Sequence, residues 1–288
     1  MIEKPRVAIV TGASRGAGKG IALALGEAGM TVYVTGRSTA GPTGDLPGTI
    51  GETAAEVTAR GGRGIGVAVD HASDESVAAF VEQVSAEHGY VDVLVNNVFA
   101  VPDGLTKPLP FWEQALDMGQ MFDIGLRSTY VMTALAAPLM IADPSRRGLV
   151  VNTSGFGGTC FMHGPAYGAV KAGVDKMAHD FAVDLQSHGV TALSLWMGLL
   201  RTERTSRVLA AEPEKYRGAD QTTESPEFPG RVIAALDAHA DKERFTGRVL
   251  VAAEMAAILG VADVDGRQPA SRRPLLGDPP RFSDAVVR

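Results

Sequence analysis

Val7-Ala8-Ile9-Val10-Thr11-Gly12-Ala13-Ser14-Arg15-Gly16-Ala17-Gly18 decides the fold of this chain. The apolar run shows no alternation, as in a strand buried on both faces of a parallel sheet. The glycines that follow permit a tight turn and close backbone approach. Ile21, Leu23, Ala24, Leu25 and Ala28 then recur with helical periodicity, and Gly29 stops the helix. A strand, a glycine turn and a helix N-terminus in that order make an anion site suited to the phosphates of a dinucleotide. The spacing is Gly-x-x-x-Gly-x-Gly rather than Gly-x-Gly-x-x-Gly, and an ordinary strand-to-helix turn is the plain alternative.

Working outward, further strands are predicted over 31–35, 64–69, 91–95, 148–152, 190–196 and 248–252, with helices over 52–60, 74–88, 111–142 and 166–187. The Gly-, Pro- and Thr-rich stretch 38–51 reads as an extended loop. Residues 201–246 read as helical, interrupted by Pro213, Pro226 and Pro229. Regular alternation of strand and helix implies an α/β fold, a doubly wound parallel sheet of about seven strands, the Rossmann architecture. One domain is expected over residues 1–262, followed by an irregular C-terminal extension over 263–288. In such sheets ligands bind beyond the carboxyl ends of the strands. Gly12, Arg37, Asp70, Asn96, Ser154 and Gly198 all fall at predicted strand ends.

Composition narrows the class. Of 288 residues 45% are hydrophobic, ample for a core, and the net charge of -6 with no basic stripe argues against nucleic acid as a partner. Cys160 is the only cysteine, so neither an intrachain disulfide nor a cysteine-based zinc cluster can form. His71, His163, His179 and His188 show no metal spacing, and no metal is expected. No signal peptide or bilayer-spanning run is read, which makes a soluble cytoplasmic protein the expectation.

Tyr167 and Lys171 stand four apart at the start of a periodic stretch, with Ser154 thirteen residues upstream. Residues four apart share a helix face. An unperturbed tyrosine titrates near 10, too high for ready proton exchange at neutrality, and a neighbouring ammonium favours the phenolate. That pairing suits general acid–base work, and a core tyrosine with a snorkelling lysine is the plain alternative. At the end of the second strand, Gly36-Arg37-Ser38 offers a cation where a carboxylate would prefer the free ribose hydroxyl of NAD. Arginine matches a 2′-phosphate, and Arg15 supplies a second cation. NADP (NADPH) is therefore expected over NAD, which remains possible.

These residues together resemble the short-chain dehydrogenases/reductases over roughly 5–255. The matching pieces are Thr11-Gly12-x-x-x-Gly16-x-Gly18, Asp70, Asn96-Asn97, Ser154, Tyr167-x-x-x-Lys171 and Gly198-x-x-x-Thr202. The resemblance implies an oxidoreductase in which Tyr167 is the acid/base, Ser154 polarises the substrate oxygen, and Lys171 holds the nicotinamide ribose and lowers the tyrosine pKa. It implies a cofactor site of Gly12, Ser14, Arg15, Gly16, Ala17, Gly18, Arg37, Ser38, Asp70, His71, Asn97, Tyr167, Lys171, Gly198, Leu199 and Thr202. It also implies a small carbonyl or alcohol substrate and a homodimer or homotetramer.

Three positions depart from the family pattern. Asn-Asn-Ala-Gly reads Asn96-Asn97-Val98-Phe99, and these larger side chains are expected to narrow the cofactor edge. Pro-Gly reads Met197-Gly198, losing the fixed φ of proline. Gly125, within Ile124-Gly125-Leu126-Arg127, stands where the family carries an asparagine that holds a water beside the lysine, and it leaves room for water or a kink. The tracts Ile124–Arg127, Leu195-Trp196-Met197-Gly198 and Asp263-Val264-Asp265-Gly266-Arg267 resemble one subgroup, the dehydrogenase/reductase family member one proteins, which implies a reductase for carbonyl compounds, broad or poorly defined in substrate.

Trp112, Phe156, Phe161, Met162 and Trp196 are candidate walls of a substrate pocket, with core packing the alternative, above all for Trp196. Residues 155–163 and 199–230 are expected to wall that pocket, the second as a lid. Two other functions stay open: a non-catalytic dinucleotide sensor, motivated by Gly125 and Met197, and a methyltransferase, which Arg37 disfavours.

Overall fold

The structure, a computed structural model, describes residues 5–39, 41, 45–214 and 222–288. Seven parallel strands form one sheet in the order β3-β2-β1-β4-β5-β6-β7. They are β1 (Val7–Val10), β2 (Thr31–Gly36), β3 (Arg63–Ala68), β4 (Val93–Asn96), β5 (Leu149–Ser154), β6 (Thr191–Trp196) and β7 (Val249–Val251). The order reverses between β1 and β4, which opens a crevice at the carboxyl edge there. The expected doubly wound sheet is present, with strand ends moved by a residue or two.

Successive residues of β1 serve opposite faces. Ala8 and Val10 pack with Ile21 and Leu25 of α1 (Gly16–Glu27), Val57 of α2 (Ile50–Ala59) and Phe228, Ile233 and Leu236. Val7 and Ile9 pack with Phe80 and Val84 of α3 (Asp74–Glu87), Met132 and Met140 of α4 (Ser128–Met140) and Leu185 of α5 (Pro165–Leu185). Burial of each of the larger side chains among these contributes roughly 1.5–3 kcal/mol. Glycines set the closest approach on the first face: a Cβ on Gly230 would lie 2.6 Å from the Cα of Ile21.

The remaining helices are α6 (Glu203–Ala211), α7 (Phe228–Ala238), α8 (Ala252–Leu259) and the one-turn α9 (Arg273–Leu276). Of the expected breaks in 201–246, Pro213 and Pro226 fall between α6 and α7, whereas Pro229 sits in the first turn of α7, where its missing N–H costs no hydrogen bond. Residues 215–221, part of the expected lid, lie outside the described residues, as do parts of the loop 38–51. The rest of 263–288 lacks regular structure, yet it packs along α5. The carbonyl of Ser283 is 3.1 Å from His179 Nε2, and the Phe282 ring lies 5.2 Å from that imidazole.

The expected helix over 111–142 is not continuous. Short helical turns at Phe111–Glu113 and Leu116–Gly119 precede a kinked segment, Phe122–Arg127, and only α4 is regular. Pro108 and Pro110 disfavour a helix at the start, and the break centres on Ile124 (φ -108°, ψ 82°) and Gly125 (φ 157°, ψ -57°).

At the amino edge of the sheet, ion pairs tie distant segments together. Buried Asp92 accepts from Val7 N at 2.7 Å and from Arg146 Nε at 2.7 Å. Buried Asp237 accepts from Arg6 at 2.5 Å and from Lys242 Nζ at 2.8 Å. Among the described residues no helix is long and apolar enough to cross a membrane.

Candidate active site

The glycine turn is built by its contacts. Gly12 and Gly16 have φ of 64° and 58°. A Cβ on Gly18 would stand 2.3 Å from the carbonyl oxygen of Gly12, so no larger residue fits. Asn97, at the end of β4, fastens this turn: its Nδ2 donates to the carbonyls of Thr11 at 2.9 Å and Gly12 at 3.1 Å. Thr11 Oγ1 in return accepts from the backbone N–H of Asn97 and Val98.

A cleft of about 480 Å³ runs from this turn across the crevice. It brings together Gly12, Ser14, Arg15, Gly16, Ala17, Gly18, Arg37, Ser38, Asp70, His71, Asn97 and Thr202 from the expected cofactor set. Tyr167, Lys171, Gly198 and Leu199 do not line it. Arg15 donates to Ser38 Oγ at 2.9 Å and to the Gly48 carbonyl at 3.1 Å, so it lies along the end of β2. Arg37 is exposed at the cleft wall. His71 is turned inward: its Nε2 lies 2.9 Å from Thr35 Oγ1, and burial pushes its pKa down to about 4, which keeps it neutral. Asp70 stays exposed, its Oδ1 accepting from Ala72 N at 3.1 Å.

These residues fit a dinucleotide, on one local observation. The backbone N–H of Gly16, at the start of α1, donates to a Glu203 carboxylate oxygen at 3.0 Å. The helix terminus thus already holds an anion, as its dipole and open N–H groups favour.

The second part of the site lies at the ends of β5 and β6. Ser154 closes β5 and donates to the Lys171 carbonyl at 3.3 Å. Tyr167 sits in the first turn of α5, and Lys171 one turn on, as the spacing predicts. The Tyr167 ring packs edge-on against His163, centroids 5.1 Å apart, and against Phe99 at 5.8 Å. A Cβ on Gly157 would come within 2.4 Å of that ring. Lys171 Nζ donates to the Thr153 carbonyl at 3.4 Å and stands 4.5 Å from the Phe99 centroid.

Burial dominates the electrostatics. It pushes the Tyr167 hydroxyl up to about 12, with a further push from Cys160. It pulls Lys171 down to about 8, opposed by Asp175. Lys171, expected to lower the tyrosine pKa, stands 5.7 Å from the ring centroid, and the hydroxyl is set by burial and Cys160.

Phe99 is the wall shared by the cleft and a water-sized cavity of about 10 Å³ that is lined by Gly125, Thr129, Thr153 and Lys171. Of the candidate pocket walls, Phe156 and Trp196 are core residues, buried against each other at 4.9 Å. Trp112 and Phe161 are 72% and 90% exposed, so neither encloses a pocket here. Met162 is half-buried beside that aromatic pair. Gly198 N donates to the buried Glu224 carboxylate at 3.0 Å, and Glu224 N donates to the Leu199 carbonyl at 2.9 Å. Thr202 caps α6, its hydroxyl accepting from Thr205 N at 3.2 Å.

Asp175, Glu203 and Glu224 were missed in the sequence. Only Asp175 had a readable signal, being four residues beyond Lys171. Among the described residues no cluster of three or more His, Cys, Asp or Glu is placed to hold a metal.

Known proteins share this sequence pattern and this fold. A family model described as short chain dehydrogenase matches residues 6–213. The mouse protein dehydrogenase/reductase SDR family member 1 is 38% identical over 275 residues, covering 92% of this chain and 85% of that protein. That identity supports the subgroup as well as the family. A metagenomic short-chain oxidoreductase in complex with NADP superposes with a TM-score of 0.67 at 29% identity, covering 85% of this chain and 96% of that one. A Xanthomonas campestris structure described as a dehydrogenase shares the fold, with a TM-score of 0.75 at 23% identity over 97% of this chain and 98% of that one. The chain belongs to the short chain dehydrogenase family of NAD(P)-dependent oxidoreductases.

Proposed function

We propose that the protein is an NADPH-dependent reductase of small carbonyl compounds, with Tyr167 as the proton donor. The observation that carries this reading is that Ser154 Oγ, at the carboxyl end of β5, reaches the Lys171 carbonyl at 3.3 Å, with Tyr167 one turn before Lys171 on α5. The cleft that begins at the glycine turn ends on the same Phe99 wall.

NADPH, when bound, supplies the hydride. Gly12 and Gly18 shape the turn, Gly16 would leave room for its phosphates at the start of α1, and Arg15 and Arg37 would answer the 2′-phosphate. Support for NADP comes from those two cations at the cleft wall and from the NADP complex of the metagenomic relative. Ser154 donates a hydrogen bond to the substrate oxygen as negative charge grows there. Tyr167 then gives that oxygen a proton. Burial keeps the phenol protonated at neutral pH, so the proton to be donated is in place. Lys171 is still protonated below about 8, with its ammonium 5.7 Å from the Tyr167 ring centroid when the phenolate is left behind.

The test is Tyr167→Phe in the full chain, assayed for NADPH oxidation with a panel of aldehydes, ketones and quinones. Turnover should fall by about a thousandfold or more while the Kd for NADPH stays within about threefold. Near-normal turnover in this variant defeats the assignment.

A further inference from the structure

Asp175 lies one turn beyond Lys171, so Tyr167, Lys171 and Asp175 follow one another along one face of α5. Its residue is wholly buried. A buried carboxylate is strongly disfavoured unless donors surround it, and this one gathers them from separate elements. On β6, Ser194 Oγ donates at 2.5 Å and Trp196 Nε1 at 2.9 Å. At the end of β5, the Ser154 hydroxyl lies close enough to help stabilise the charged form. On the loop after β5, Gly158 presses against it: a Cβ there would stand 2.9 Å from Oδ2. Lys171 is the charged group that acts on it, while β5, β6 and the loop face it with Ser154, Ser194, Trp196 and Gly158, none ionised near neutrality.

Well-packed apolar residues commonly serve a core as well as a buried ionic group or better. The place of this carboxylate, against both Ser154 and Lys171, gives it work that an apolar side chain cannot do. We propose that Asp175 is a positioning residue for the reaction, clamping Ser154 and the Lys171 turn to β6 and keeping the Lys171 ammonium charged. The inference rests on the reading of Ser154, Tyr167 and Lys171 given above.

The carboxyl is pushed up to about 6 by burial, with Ser194, Ser154, Trp196 and Lys171 opposing. Lys171 is drawn down to about 8 by its own burial, with Asp175 opposing. Between those values the pair is carboxylate and ammonium together. Removing the carboxylate takes away the support that keeps the lysine charged at higher pH.

Two experiments on the full chain test this. In Trp112→Phe, Trp196 is the only tryptophan left, and its indole N–H reports the state of Asp175. Its emission should titrate with a midpoint near pH 6, and adding Asp175→Asn should abolish that transition. Flat emission across about pH 5 to about pH 8, or an unchanged transition with asparagine, overturns the proposal. Second, the pH profile of kcat/KM is measured with NADPH and 4-nitrobenzaldehyde. Asp175→Asn should erase the acid limb near pH 6 and move the alkaline limb to lower pH. At neutral pH kcat should fall about tenfold or more with KM little changed. A parallel drop at every pH, both limbs kept, marks Asp175 as merely structural and overturns it. A catalytically competent Tyr167→Phe would defeat the underlying reading instead, and would leave the Trp196 titration as it was.

Discussion

The Phe99 ring stands where a side chain at position 125 would go: a Cβ on Gly125 would lie 2.9 Å from Phe99 Cδ2. Two departures from the family pattern thus fill each other's space. Gly125→Asn, the family's usual residue, should destabilise this protein by roughly 2–3 kcal/mol, through overlap with the ring and its φ of 157°. Phe99→Ala in the same chain should relieve part of the loss, giving a coupling of about 1 kcal/mol or more in urea denaturation. Strict additivity of the two changes would show that the positions do not compete for space.

Arg37 gives the cofactor prediction. Its guanidinium is exposed at the cleft wall next to Ser38, the residue that Arg15 holds. Arg37→Ala should raise the KM for NADPH by about 10–100-fold, the worth of one or two charge-assisted hydrogen bonds, and leave that for NADH within about twofold. Equal losses with both cofactors would place the 2′-phosphate elsewhere.

Glu203 occupies the end of α1 that a phosphate would need. Glu203→Gln removes the negative charge from that N-terminus. Binding of NADPH should tighten by about 2–5-fold at low ionic strength, with the gain fading in high salt. Titration of tryptophan emission or calorimetry reads this directly. An unchanged Kd at low salt would mean that the carboxylate does not compete.

Glu224 yields a stability prediction with a definite sign. Burial pushes its carboxyl up to about 7, with Asp263 adding to the rise and the Gly198 N–H and Arg272 opposing. The folded pKa lies above the unfolded one, so the protonated group's contribution is complete below the unfolded value near 4.5 and is lost as pH rises through about 7. Glu224→Gln should therefore raise Tm relative to wild type above pH 7, by an effect on the order of 2–3 kcal/mol, and little at acid pH. An equal shift at both ends of the range would refute the titration.

The fold was legible because strand and helix alternate with clear punctuation, and Val7–Val10 with its glycines anchors the register. The positions of the glycine turn, Ser154, Tyr167 and Lys171 at the strand ends and in the first turns of α1 and α5 could be read because they depend on local spacing. The kink at Ile124-Gly125 was half legible: Gly125 offered room for it, but apolar periodicity on both sides resembles one long helix, and the Phe99 ring beside Gly125 is distant in sequence. Glu203 and Glu224 were equally hidden. Their partners, Gly16 and Gly198, are reached through tertiary contact, and an acidic residue in a polar segment carries no mark of burial. Trp196 was placed correctly in the core, whereas Trp112 and Phe161 show that aromatic identity alone does not indicate burial.

Arg6, Asp92, Arg146, Asp237 and Lys242 knit the rim of the sheet opposite the chemistry, joining the entry to β1, the approach to β4 and the tail of α7. Because these fastenings lie away from the loops that choose the substrate, heat tolerance and selectivity can be altered through separate sets of residues. An engineer, or natural drift, can redraw one rim of this molecule while the other keeps it folded.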